Sequence, residues 1–144
     1  MGRHRIQLRG PWQFEWLRRD GDAGPFDAAG RVKLPEEWAP LLTGTSGQLR
    51  LMRRFGRPAN LEPQEQVQVY VEGIFGRGQL LINGRAMIRM ERPGTVRTDR
   101  IWEEITPILT ASNHLEIVIE FASISAEVAA DGLWSSIGIE MIST

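Results

Sequence analysis

Four separate stretches of this chain alternate apolar and polar residues with a period of two. Leu115, Ile117, Ile119 and Phe121 alternate with His114, Glu116, Val118 and Glu120. Val67, Val69 and Val71 alternate with Gln66, Gln68, Tyr70 and Glu72. Trp12, Phe14 and Trp16 alternate with Gln13 and Glu15, and Ile137, Ile139 and Met141 form a shorter example. Successive strand side chains point to opposite faces, so each stretch specifies a strand with one buried face. Between Leu80-Leu81-Ile82 and Ala86-Met87-Ile88 stands Asn83-Gly84. A type I′ turn needs positive φ at both central residues, which Asn and Gly tolerate best, so a hairpin is predicted there. Gly73, Gly76 and Gly78 before it fit a bulge or a tight connection.

Helical signals are sparse. Pro35-Glu36-Glu37-Trp38-Ala39 places Pro at a first helical position with acidic residues behind it, and Pro40 limits the length. Thr106-Pro107-Ile108-Leu109 predicts one turn with Thr106 as N-cap and Asn113 near its exit. Residues 122 to 131 read as either a loop or a weak helix. There is no repeat, low-complexity tract or linker, and no alternation of strands with helices. The expected architecture is an antiparallel sandwich or barrel in a single domain over residues 1–144. A chain of 144 residues hides roughly two-thirds of its unfolded surface, enough for a core. It falls well below the ~250 residues typical of a (β/α)8 barrel.

Composition narrows the function. The chain has no cysteine, which excludes structural disulfides and thiolate metal sites. Lys+Arg is 17 and Asp+Glu is 18, a formal net charge of -1. That balance supplies no global attraction to nucleic acid or an anionic membrane, and neither is expected as a partner. Arg50, Arg53, Arg54 and Arg57 cluster, but strand alternation puts Arg50 and Arg54 on one face and Arg53 and Arg57 on the other. No apolar run approaches the about 18 residues needed to span a bilayer. No secretory signal precedes Ile6, and Ile6 stands where a myristoylation motif needs Ser or Thr, so the default location is cytoplasmic.

Catalytic and metal chemistry find little to work with. The two histidines, His4 and His114, fall at a frayed end and on the polar side of a strand. Neither pattern gives a Ser-His-Asp triad or a histidine metal site. Asp20, Asp22 and Asp27 form only a fragment of a calcium loop, with no bidentate Glu after them. The glycines of Gly73-Ile74-Phe75-Gly76-Arg77-Gly78 are in the wrong order for a dinucleotide fingerprint. No catalytic residue, metal or cofactor is therefore expected. The five tryptophans fill a sandwich core or stack on sugar faces. Trp102 and Trp134 lie beside polar or glycine-rich segments and are the ones expected to be exposed.

Six fragments then fall into a known order. Leu8-Arg9-Gly10-Pro11-Trp12-Gln13-Phe14 resembles the opening "L-x-G-x-W-x-F" of the N-terminal sugar-binding domain of family-2 glycoside hydrolases, the β-galactosidase and β-glucuronidase group. Val32-Lys33-Leu34-Pro35-Glu36-Glu37-Trp38 is similar to its "V-x-V-P-x-x-W", and Leu51-Met52-Arg53-Arg54-Phe55-Gly56-Arg57-Pro58 to "Y-x-R-x-F-x-x-P", with Leu51 in the aromatic position. Tyr70-Val71-Glu72-Gly73-Ile74 with Leu81-Ile82-Asn83-Gly84 is similar to "F-E-G-V…V-x-L-N-G". Glu104-Ile105-Thr106-Pro107-Ile108-Leu109 with Asn113-His114-Leu115 resembles "D-I-T-x-x-L…N-x-L", and Gly132-Leu133-Trp134 followed by Ile137 and Ile139 resembles "G-L-W-x-x-V-x-L".

The resemblance implies an all-β, galactose-binding-domain-like jelly-roll β-sandwich with one or two short helical turns. It also implies that the catalytic glutamates belong to a separate barrel domain that this length does not contain, so no enzyme activity is expected. Glu72, Arg53 and Trp134 carry over from its motifs. The loop Glu91-Arg92-Pro93-Gly94-Thr95-Val96-Arg97 departs from the family's "H-x-G-G-x-x-P-F". The expected function is non-catalytic carbohydrate binding. The candidate ligand-binding residues are Glu91, Arg97, Asp99, Trp102 and Trp134. The alternative is a protein-interaction or assembly module of the same fold, whose partner is another protein or a second copy of the chain.

Overall fold

The computed structural model describes residues 3–21, 28–34, 36–42, 45–72, 77–90, 101–121 and 136–143. Ten strands follow in chain order: β1 Arg3–Gln7, β2 Gly10–Gly21, β3 Ala29–Leu34, β4 Thr45–Gly56, β5 Glu65–Glu72, β6 Arg77–Ile82, β7 Arg85–Met90, β8 Ile101–Glu104, β9 Ser112–Phe121 and β10 Ser136–Ser143. They form a four-stranded sheet, β1-β10-β5-β8, and a six-stranded sheet, β3-β2-β4-β9-β6-β7. All the pairings are antiparallel. The fold is an all-β jelly-roll sandwich.

The two sheets close on one apolar cluster, and the period-two residues fill it as predicted. Val67, Val69, Val71, Ile137, Ile139 and Met141 enter from the small sheet. Trp12, Phe14, Trp16, Leu49, Leu51, Leu115, Ile117 and Ile119 enter from the large one. Each buried Leu, Ile or Val contributes roughly 1.5–3 kcal/mol against leaving it in water. The Asn83-Gly84 turn joins β6 to β7 with φ of 52° and 82°, the left-handed pair that a type I′ turn demands. Gly78 lies inside β6, and a Cβ there would come within 1.9 Å of the Val118 carbonyl oxygen of β9. Glycine is thus required there for close backbone approach. A register shift follows in the hairpin, between Leu80 and Leu81.

Four expectations change in detail. His4 belongs to an ordered edge strand, opposite Met141 of β10, because β1 finds a backbone partner there. The helix α1 spans Trp38–Leu42, so Pro40 sits within its first turn instead of stopping it. An early helical residue has no intrahelical use for its N–H, which is why Pro fits there. Thr106 does not cap the 3-10 turn Thr106–Ile108, whose N-cap is Ile105. Its hydroxyl instead accepts from the Val67 N–H at 2.8 Å and donates to the Val67 carbonyl at 3.3 Å, pinning the turn to β5. Finally, Gln68 and Tyr70 are buried although they stand on the polar side of the β5 alternation. The outer face of the small sheet carries a covered polar layer.

Candidate functional site

That layer places the first candidate surface. Antiparallel register lines up Trp102, Tyr70, Gly138 and Gln7 in one row across β8, β5, β10 and β1. Glu104, Gln68, Glu140 and Arg5 form the next row. Directly opposed residues hold their Cβ atoms about 4.5–5.5 Å apart, so each row is a continuous surface. The Arg5 guanidinium lies 4.6 Å from the Tyr70 ring centroid, a cation–π contact that helps close over the ring. It also reaches Glu72 at 3.2 Å and Glu140 at 3.5 Å. Arg3 holds the second oxygen of Glu140 at 2.8 Å. Glu140 has a fully buried side chain, so its charge relies on both arginines.

At the rim of this layer, Trp102 is 56% exposed. Trp12, Trp16 and Trp38 are buried. Glu91, Arg97, Asp99 and Trp134, the other expected ligand-binding residues, lie outside the described residues. The strands that they lead into start side by side: Ile101 faces Val71 and Ser136 faces Glu72 at the end of β5. Two further carry-over residues have visible partners. Glu72 pairs with Arg5, as above. Arg53 donates to the Arg9 carbonyl at 3.1 and 2.9 Å and to the Arg54 carbonyl at 2.9 Å, tying the strand β4 to the β1–β2 connection. Burial pulls the Arg53 guanidinium below its ordinary pKa. Arg53 thus acts as a tether.

The second surface is a cleft of ≈ 780 Å³ outside the large sheet. Its central row runs Arg31, Gln13, Met52 and Glu116 across β3, β2, β4 and β9. Along β4, Arg50 and Arg54 flank Met52 two residues either side. Arg50 is held at 2.8 Å by Glu116 and at 3.6 Å by Glu15. The sequence places Arg50 and Arg54 together on one strand face, but Arg53 also lines this cleft, Arg57 lies beyond the end of β4, and the sequence does not reveal Arg31. Arg31 joins this face only because β2 lies between β3 and β4. The signal for the rest was the spacing Arg50, Met52, Arg54 on one strand face.

Comparison with solved structures finds the same fold in known proteins. A β-glucuronidase of Faecalibacterium prausnitzii L2-6, described as FMN-binding, superimposes over 98% of this chain with a TM-score of 0.70 at 16% identity. The fold is one found within β-glucuronidases. A Ruminococcus gnavus β-glucuronidase solved with D-glucuronic acid matches over 97% of the chain, with a TM-score of 0.67 and 15% identity. A Bifidobacterium dentium β-glucuronidase solved with coumarin-3-O-glucuronide matches over 82%, with a TM-score of 0.61 and 16% identity. The chain spans 23%, 30% and 20% of the lengths of these three proteins. These matches fit the resemblance to the N-terminal sugar-binding domain of family-2 glycoside hydrolases. No protein-family model matches the sequence, and no curated protein matches it.

Proposed function

We propose that this chain is a non-catalytic carbohydrate-binding domain, related in fold to the sugar-binding part of family-2 glycoside hydrolases. The observation that carries the reading is Trp102. It is more than half exposed at the rim of a polar layer, with Glu104 two residues along β8. Sugar recognition needs this combination: an aromatic plane for the apolar face of the ring and polar groups for its hydroxyls. Glu91, Arg97, Asp99 and Trp134, expected from the sequence to share the site, are to be tested beside Trp102. The small fraction of each hydrolase that the chain spans supports the assignment of binding without hydrolysis.

The protein-interaction alternative gains less support. Among the described residues, the large exposed apolar side chains are Ile6, Leu17 and Trp102. They stand on β1, β2 and β8, three strands that do not neighbour one another. A protein-docking face asks for a contiguous patch. The test is a glycan array followed by calorimetry on the hits, with Trp102→Ala as the comparison. Binding that Trp102→Ala weakens at least tenfold is expected. The absence of binding to any common sugar at millimolar concentration would overturn the reading, as would turnover of nitrophenyl glycosides.

A further inference from the structure

The cleft outside the large sheet is not needed for the Trp102 surface, and its charge is not explained by packing. The whole chain is nearly neutral. The cleft is lined by four arginines, Arg31, Arg50, Arg53 and Arg54, against one glutamate, Glu116. Two of the four are accounted for. Arg50 is neutralised by Glu116 and Glu15, and Arg53 is spent on backbone carbonyls.

The other two face unlike company. The cross-strand neighbour of Arg54 is His114, and that of Arg31 is Gln13. Neither guanidinium has an ion-pair or hydrogen-bond partner among the described residues. Exposed strand arginines gain from an acid directly opposite. Here strand order puts neither opposite an acid, while Arg50 beside them stands opposite Glu15 and also reaches Glu116. The result is a pair of free, planar, bidentate donors at one cleft, the geometry suited to a carboxylate or sulfate.

Between them lies a floor of different character. Met52 is half-buried at the centre, with Arg50 and Arg54 roughly 13 Å apart along β4 and Gln13 and Glu116 roughly 10 Å apart across it. Its volume of ≈ 780 Å³ is that of a small-molecule site, which typically holds about 300–1,000 Å³. An apolar floor, an amide, a carboxylate and two free guanidinium groups match a sugar ring that carries an acid.

We infer that this cleft binds an anionic saccharide, with its carboxylate or sulfate on Arg54 and Arg31, its ring over Met52 and its hydroxyls on Gln13 and Glu116. The inference rests on the carbohydrate-binding reading and adds a second site and a ligand class to it. The attraction is exposed, so it weakens with added salt.

The experiment is calorimetry on the full chain with five probes: a tetragalacturonate, its methyl ester, a sulfated tetrasaccharide, neutral gluco- and galacto-oligosaccharides, and inorganic phosphate. The test variant is Arg31→Gln/Arg54→Gln. The control is Arg77→Gln/Arg85→Gln, which removes the same charge elsewhere on the sheet. Thermal melting checks that both fold. The expected result is at least tenfold tighter binding of one acidic tetrasaccharide than of the neutral sugars. That advantage is lost in the test variant and kept in the control. Preference for the carboxylate or the sulfate probe identifies which acid the site takes. Equal binding by wild type and test variant overturns the inference, and so does inorganic phosphate binding as tightly as the tetrasaccharides. If neutral sugars bind through Trp102 and acidic ones gain nothing, this inference fails and the carbohydrate reading stands. If no saccharide binds at all, both fall.

Discussion

The side-chain amide of Asn83 donates to the Oδ1 of Asn113 at 3.0 Å, joining the β6–β7 turn to the start of β9 across thirty residues of chain. The same amide donates to the Ile108 carbonyl at 2.9 Å, and Asn83 Oδ1 accepts from the His114 N–H at 2.9 Å. Asn113, fully buried, closes its own loop by accepting from the Thr110 N–H at 2.8 Å and donating to the Thr110 carbonyl at 2.9 Å. Two residues that alone read as a turn signal and a helix exit are one network.

Replacing Asn83 therefore acts twice. Asn83→Gly keeps the positive φ and removes the side-chain bonds to the Ile108 carbonyl, Asn113 Oδ1 and the His114 N–H, a loss expected to destabilise the fold by about 1–3 kcal/mol. Asn83→Ala adds the left-handed backbone penalty of roughly 1–2 kcal/mol. Urea denaturation should rank wild type above Asn83→Gly above Asn83→Ala. A double-mutant cycle with Asn113→Ala should show coupling of about 0.5–3 kcal/mol.

The tryptophans should separate by position. Trp38 is fully buried in α1, so Trp38→Ala is expected to destabilise by about 3–5 kcal/mol. Trp102 is more than half exposed, and Trp102→Ala should change stability by only about 0.5 kcal/mol while removing the fluorescence component that an aqueous quencher reaches most readily. A large loss of stability in Trp102→Ala would mean that its indole is a packing element.

The ion-pair layer on the small sheet predicts an asymmetry. Arg3 and Arg5 are substantially exposed, whereas the Glu140 side chain is fully buried. Removing both arginines takes two cationic partners from a buried carboxylate and should destabilise by about 3–5 kcal/mol. Glu140→Gln leaves the arginines in water and should be milder. Thermal denaturation of Arg3→Ala/Arg5→Ala against Glu140→Gln checks the order.

Gly138 occupies the row between Tyr70 and Gln7, where a Cβ would lie 2.2 Å from the Ile6 carbonyl oxygen and 2.7 Å from the Tyr70 hydroxyl. Gly138→Ala must displace β1 or the Tyr70 ring, an overpacking effect of about 1–3 kcal/mol. Hydrogen exchange should show it first as lost protection in β1, an edge strand hydrogen-bonded only to β10 among the described strands.

What the sequence determined alone was local: which residues of β2, β5, β9 and β10 face inward, and where β6 turns into β7. Side-chain parity along a strand and positive φ in a two-residue turn depend on near neighbours only. The tertiary structure decided the rest. Tyr70 and Gln68 occupy polar positions in the β5 pattern, and only the placement of β10, β1 and their arginines beside them makes that face a buried layer. Arg31 and Arg54 are separated along the chain, and strand order brings them to one cleft without giving either an acid. Strand order is settled by how two sheets together bury a core, a property of the whole chain that no single stretch encodes.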